Sequence, residues 1–248
     1  KLPAWDSLPY DRISPNPEIC AMRMQALVRL VGQDPPHAPA VLLTTVNAAL
    51  QRLPPRSSIQ GTVFQAGIGA TVEVGELIEF LVLNGYSRTG TVMETGEFAT
   101  RGGIVDIFPA GAATPLRLDF FGDTLENVRL FDPLTQITIG EGRTVSLVPA
   151  SEVQLTKETT ARFRQGYREL FGTVTDDDPL YSSIREGRHH AGMEHWLSLF
   201  HDKLETLFDY VNAGVVTLDH RSLVARDERL EQIRDYYDAR VEALKNPY

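Results

Sequence analysis

The sequence has little of what several classes of protein require. Cys20 is the only cysteine among the 248 residues, which excludes an internal disulfide and a zinc site built from several cysteines. From this scarcity of cysteine we expect a cytoplasmic protein. No run approaches about 20 apolar residues, so the sequence predicts no membrane span and no membrane partner. A net charge of −9 argues against a general nucleic-acid binder, because contacts with phosphates need clustered Lys and Arg.

The motifs of nucleotide-dependent enzymes are also missing. Neither Gly-x-x-x-x-Gly-Lys-Ser/Thr nor a Gly-Lys dipeptide occurs, so the chain lacks the loop that cradles the phosphates of ATP. Gly67 and Gly69 begin a dinucleotide-like pattern, but Val72 stands where the third glycine belongs. We expect a flexible loop there and no cofactor in this chain.

Four histidines lie in one short segment, at His189, His190, His195 and His201. Their spacing does not place them together on one helix face, and Glu194 is the only obvious acidic partner before Asp202. A Ser-His-Asp arrangement would need a nucleophile elbow, which the sequence does not contain. We expect neither a metal site nor a catalytic residue.

Hydrophobic periodicity divides the chain into an α/β part, a strand-rich part and a helical part. In the first part we predict helices at 17–31 and 45–53 and a buried strand at 40–44. In the second part we predict a helix at 75–84 and strands at 87–94, 103–108, 116–121, 127–131 and 144–147. After Pro149 we predict helices at 156–171, from 176–179 onward and at 222–244, with a β-rich run at 214–218.

One predicted strand, residues 116–121, carries an unusual outer face. Alternation sends Leu116, Leu118 and Phe120 toward the core and Arg117, Asp119 and Phe121 to the other side, and Arg101 lies on the preceding strand. An exposed aromatic residue beside two arginines has the composition of a binding hot spot. Alternatively, the arginines pair with nearby acids, Arg101 with Glu97 or Asp106 and Arg117 with Asp119.

Several blocks in order along the chain, covering about residues 2–219, resemble the UvrB-homology module of UvrB and the transcription-repair coupling factors (Mfd). These blocks are Gly96–Pro109, Arg117–Asp123, Leu130–Thr135, Leu2–Asp11 and Leu43–Arg52, and the last two match the Mfd version better. UvrB also has a long tyrosine-rich hairpin that engages damaged DNA. This chain passes directly from Tyr10 to the helix at Pro17, so we expect no damage verification.

The resemblance implies a non-catalytic module that recruits UvrA to stalled RNA polymerase for nucleotide excision repair. By motif position, the UvrA-binding residues are Arg101, Arg117 and Phe121. ATP, magnesium, DNA and RNA polymerase would be bound only by regions absent from this chain, such as the downstream motor. The chain begins with Lys1 rather than Met, and we expect the chain to be a fragment of a longer polypeptide.

The resemblance also supports a division of the chain and leaves one alternative function. We predict a multi-lobe α/β fold: a degenerate helicase-like α/β lobe (1–62), an inserted antiparallel α+β UvrA-binding lobe (63–148), a small helical lobe (149–211), and a return strand with a connecting helix (212–248). The alternative is a UvrB-type damage-recognition ATPase fragment acting on DNA. His220 argues against it, because this residue follows Asp219 where the motor motif of UvrB has glutamate.

Overall fold

The computed structural model describes residues 1–32, 41–172, 178–211 and 215–243. The helices are α1 (Pro17–Val31), α2 (Val46–Leu50), α3 (Arg56–Ile59), α4 (Val74–Leu83), α5 (Lys157–Phe171), α6 (Pro179–Arg185), a 3-10 turn (Met193–Trp196), α7 (Leu197–Phe200), α8 (Leu207–Tyr210) and α9 (Ser222–Ala243). The strands are β1 (Phe64–Gly67), β2 (Ser87–Arg88), β3 (Glu97–Arg101), β4 (Ile104–Ile107), β5 (Leu116–Phe121), β6 (Thr124–Phe131), β7 (Thr138–Gly142) and β8 (Thr144–Leu147).

A six-stranded sheet in the order β2-β3-β4-β5-β6-β7 is the centre of the strand-rich part. All its neighbouring strands are antiparallel except β2 and β3, which run parallel. Helix α4 packs on one face through Leu77 and Leu81, against a core that includes Phe98, Leu118 and Val128. The opposite face carries the charged side chains described below.

Strands β1 and β8 form a separate two-stranded sheet in which Phe64 lies opposite Leu147. The chain therefore enters and leaves the strand-rich part at adjacent positions. The lobe boundaries near residues 63 and 148 stay a prediction, and this pairing is compatible with them.

Two further cores lie outside the strand-rich part. One is formed by α1 with the short helices α3 and α8, through residues that include Met24, Leu27 and Tyr210. The other is formed by α5, α6 and α7, with an aromatic centre at Phe163 and Phe200, whose rings stack with centroids 4.9 Å apart. Helix α5 begins as predicted, since the Thr156 hydroxyl accepts from the amide of Thr159.

A buried ion pair connects α1 to the segment after β8. Arg23 donates from Nε to Glu152 Oε1 at 2.5 Å and from Nη2 to Oε2 at 3.2 Å, and both side chains are almost inaccessible to solvent. Trp5 Nε1 also donates to Glu152 Oε1, at 2.9 Å, and Gln51 Oε1 accepts from Arg23 Nη1, at 2.9 Å. The network satisfies most of the polar atoms that burial would otherwise leave unpaired.

Two predicted strands are wrong in the described residues. Residues 41–44 form only a bridge between Leu2 and Thr44, and Val41 is 85% exposed. Residues 215–218 form no strand, and Val215 is 95% exposed. Both runs are apolar enough for a buried strand, but the described residues offer them no sheet to join. Within 1–32, 41–62 and 215–243 there are therefore helices and no strand; Ala40 and Gly214 lie outside the described residues.

Smaller differences concern the ends and number of elements. The strand predicted at 87–94 is only two residues long, and the helix predicted at 45–53 ends at Leu50. The helix that we predicted to start within 176–179 begins at Pro179, after the N-cap Asp178. Residues 176 and 177 lie outside the described residues, and so does Leu244, the predicted end of α9. Strands β1, β3 and β7 were not among the predicted strands.

Candidate protein-interaction site

Two hairpin tips place Arg101 and Phe121 at the same end of the six-stranded sheet. Arg101 is the last residue of β3 and lies opposite Ile104, so the turn between them is Gly102-Gly103. Phe121 is the last residue of β5 and lies opposite Thr124. Gly102 and Gly122 have φ of 59° and 58°, a region that glycine adopts without steric cost. These tight turns fix the positions of the side chains that precede them.

The strand register puts Arg101, Arg117 and Phe121 on one face, opposite the core. Leu118 lies opposite Val105 and Val128, all three buried. Neighbouring residues on β5 therefore point away from α4, as the alternation predicts. The register slips by one residue on β6 near Phe120, and the alternation along β5 continues through it.

Phe121 is the most exposed aromatic side chain among the described residues, at 77%. Arg101 is also exposed, and its Nη2 donates to the carbonyl of Gly90 at 2.6 Å and to Thr91 Oγ1 at 3.3 Å. These contacts hold the guanidinium against the segment that follows β2. Arg101 thus keeps its charge accessible while its position is restricted.

Arg117 differs from the expectation of a free, exposed arginine. Its Nε donates to Asp106 Oδ1 at 2.7 Å and its Nη2 to Oδ2 at 2.9 Å, and only 17% of its side chain is exposed. Hydrogen bonding to Asp106 raises the pKa of Arg117 above its ordinary value. The guanidinium also lies over the Phe131 ring, 4.7 Å from its centroid. The partner is Asp106, one strand away, and not Asp119.

A second ion pair completes the charge pattern of this face. Arg129 lies directly opposite Arg117 on β6, a like-charge arrangement that is unfavourable in an antiparallel pair. Each arginine has its own acid, since Arg129 Nη2 lies 2.6 Å from Asp119 Oδ1. Each of the two neighbouring arginines is therefore compensated by its own carboxylate, and Phe121 is the exposed apolar residue at one end of the face.

Local sequence signals exist for some of the strands that were not predicted. The Gly102-Gly103 dipeptide is typical of a two-residue hairpin turn, and it divides the segment 96–109 into β3 and β4. Strand β7 contains Gly140 and Gly142, and glycine weakens a strand pattern. No local signal indicates the contact of Arg117 with Asp106, because it depends on the register.

Of the other candidate residues, Cys20, His189, His190 and Glu194 line one cavity. Among the described residues, no group of three or more His, Cys, Asp or Glu side chains is arranged to hold a metal. Burial lowers the pKa of His189 to about 4 and raises that of Cys20 to about 12. Asp219 Oδ1 accepts from the amide of Arg221 at 2.8 Å, just before α9 begins. None of the described helices has the length and apolar character needed to cross a membrane.

The candidate site lies within a segment that matches a family of known proteins. Residues 64–153 match the family model of the UvrB interaction domain. The chain is 34% identical to the transcription-repair-coupling factor of Haemophilus influenzae over 231 aligned positions, which cover 93% of this chain and 20% of that protein. The same protein of Escherichia coli is 34% identical over 228 positions, covering 92% and 20%.

A third relative, the transcription-repair-coupling factor of Myxococcus xanthus, is 34% identical over 263 aligned positions, covering 100% of this chain and 22% of that protein. The chain therefore spans about one fifth of the length of these relatives. The predicted resemblance is confirmed: residues 64–153 match the UvrB interaction domain, and nearly the whole chain is similar to a part of the transcription-repair-coupling factors.

Proposed function

We propose that this chain is a non-catalytic interaction module that binds UvrA and so recruits it to stalled RNA polymerase for nucleotide excision repair. The match to the UvrB interaction domain and the printed names of the relatives support this role. In this proposal, RNA polymerase, DNA, ATP and magnesium are bound by other parts of the full-length protein, which acts in the cytoplasm. The absence of a P-loop motif from the sequence supports a role without catalysis.

The proposed UvrA-binding residues are Phe121, Arg101 and Arg117. The observation that carries the proposal is the exposure of Phe121, 77%, at a tight hairpin tip on the same face as Arg101. Aromatic residues and arginines dominate binding hot spots, and a fixed position lowers the entropic cost of association. Arg117 contributes differently: Asp106 accepts from its Nε and Nη2 and the carbonyl of Gln136 accepts from its Nη1, so it offers a partner only the remaining N–H groups and the edge of the guanidinium.

The test is a calorimetric titration of this chain with purified UvrA from the same organism. Phe121→Ala should weaken binding about thirtyfold, which corresponds to a loss of ~2 kcal/mol. The matched control is Phe208→Ala on α8, since Phe208 is also an exposed phenylalanine, at 59%, but lies outside the sheet. Binding by Phe121→Ala at wild-type strength would place the recruitment site elsewhere. Absence of binding by the wild-type chain would contradict the function itself.

A further inference from the structure

Three side chains are too few to form a stable protein interface. A specific interface of standard size buries about 800 Å² on each partner and involves roughly 20–30 residues. Arg101 and Phe121 lie at the hairpin end of the sheet, whereas Arg117 lies four residues back along β5. At ~3.3 Å per residue this distance is ~13 Å, so the proposed face already extends toward the opposite end of the sheet.

The turn between β6 and β7 lies at that opposite end and exposes large apolar side chains. Leu134 is 78% exposed and Ile137 is 65% exposed. Ile139, the second residue of β7, is 59% exposed. Single exposed apolar residues need no explanation, but three within six residues form a patch. We call these three residues the β6–β7 patch.

The turn that carries the β6–β7 patch is held by its own hydrogen bonds. Asp132 Oδ1 accepts from the amides of Leu134, at 3.1 Å, and Thr135, at 2.7 Å, and from Thr135 Oγ1 at 2.9 Å. These bonds lower the pKa of Asp132. Gln136, with φ of 62°, donates from its side chain to the carbonyls of Val92, at 3.0 Å, and Pro133, at 2.6 Å. An ordered turn with exposed apolar side chains loses little entropy on binding.

The turn that carries the β6–β7 patch borders the proposed UvrA site. The carbonyl of Gln136 lies 3.4 Å from Nη1 of Arg117, so the turn borders the guanidinium directly. Ile139 occupies a bulge: Leu130 lies opposite Gly140 and Phe131 opposite Thr138, which leaves Ile139 without a partner position. Bulges commonly redirect a side chain at the edge of a sheet. Arg117 therefore lies between Phe121, at the other end of β5, and the turn that carries the β6–β7 patch.

We propose that the β6–β7 patch is a second docking element for the same partner, UvrA, which contacts an apolar surface there while it binds Arg101 and Phe121. This inference rests on the proposed function. It names Leu134, Ile137 and Ile139 as additional interface residues and places Arg117 near the middle of the footprint. A central, partly desolvated arginine surrounded by apolar contacts is the usual arrangement of a hot spot.

The test compares two double variants in the calorimetric titration with UvrA. Leu134→Ser/Ile137→Ser should weaken binding at least tenfold and leave the thermal midpoint nearly unchanged, because both side chains are exposed. The matched control is Leu223→Ser/Val224→Ser on α9, where two neighbouring apolar side chains are 56% and 53% exposed. Equal affinities for wild type and the Leu134/Ile137 variant, together with weakened binding by Phe121→Ala, would overturn the docking element while the proposed function stands.

Two further measurements keep the inference independent of the stability of the variant. Hydrogen exchange on the wild-type complex should show protection of the amides of residues 134–140 when UvrA is added. Unchanged exchange in this segment would overturn the proposal. Sedimentation of the free chain tests whether a second copy of the chain covers the patch instead. The proposal would also be overturned if the wild-type chain is a dimer, the Leu134/Ile137 variant is a monomer, and both bind UvrA with the same affinity.

Discussion

Arg117 and Asp106 lie directly opposite each other on β5 and β4, and two hydrogen bonds of 2.7 and 2.9 Å join the guanidinium to the carboxylate. Asp106 is 3% exposed, so the carboxylate of this pair is almost completely removed from solvent. A residue proposed for binding is thus also part of the structure. Substitution of Arg117 therefore affects both binding and stability, and other substitutions are needed to separate these two effects.

Arg117→Ala should lower the free energy of unfolding by about 2 kcal/mol, because Asp106 is left buried without its charged partner. Urea unfolding measures this loss. Arg101 makes its hydrogen bonds at the surface, so the free energy of unfolding of Arg101→Ala should stay within about 0.5 kcal/mol of that of wild type. A double-mutant cycle with Asp106→Asn should show coupling between the two positions. Full stability of Arg117→Ala would mean that the pair contributes nothing to folding.

The two adjacent phenylalanines of β5 should respond in opposite ways. Phe120 packs against the core but stays partly exposed, so Phe120→Ala should cost about 1–3 kcal/mol, less than the truncation of a fully buried phenylalanine. Phe121→Ala should change stability by less than about 0.5 kcal/mol. Thermal unfolding of the two variants decides the matter. A reversed order would mean that the sides of β5 are exchanged and that the proposed site is wrong.

Arg23→Met should destabilise the chain strongly. Removal of one member of a buried ion pair typically costs about 3–5 kcal/mol, because the remaining charge, here Glu152, stays buried. Arg188→Met is the matched control, since Arg188 pairs with Glu186 at the surface and such pairs contribute about 0–1 kcal/mol. Chemical denaturation of both variants gives the comparison. Equal losses would contradict the role of the buried network.

His189 should make stability depend on pH. Burial lowers its pKa from 6.5 to about 4 in the folded chain. Between these values the unfolded chain takes up a proton that the folded chain does not, so stability falls as the pH is lowered from 6.5 to 4, by at most about 3 kcal/mol. His189→Gln should remove this component. An unchanged slope of unfolding free energy against pH in the variant would show that other groups cause it.

The purified chain should release no phosphate from ATP, with or without DNA. This outcome is expected from the missing P-loop motif and from His220 at the position where UvrB has the glutamate of its motor motif. A colorimetric phosphate assay provides the measurement. DNA-stimulated turnover that survives a further purification step would favour the alternative of a UvrB-type ATPase fragment.

Sequence patterns predicted the elements whose signals are local. Helix α1 has the predicted bounds, because Pro17 suits a first turn and Gly32 ends the helix. Strand β5 also has the predicted bounds, and its alternation gave the orientation of Phe121 correctly. These features depend on the residues of one segment, so they can be inferred without knowledge of its neighbours.

Elements that depend on a neighbouring segment were predicted less well. The runs at 41–44 and 215–218 are apolar, but an apolar run becomes a strand only where another strand pairs with it. The contact between Arg117 and Asp106 likewise requires the register of β4 and β5. Alternation along β5 placed Arg117 on the outer face, and only the register shows that most of its hydrogen-bonding capacity is used within the protein.

The pairing of β1 with β8 has a consequence for how such a domain can be exchanged between proteins. Phe64 and Leu147 face each other across two antiparallel strands, where opposite Cα atoms are about 5 Å apart. A host protein would therefore need to open only one peptide connection to accept the whole segment, with little distortion on either side. The residues of the proposed binding face lie between these two ends, so insertion at one position of a host chain would carry all of them together.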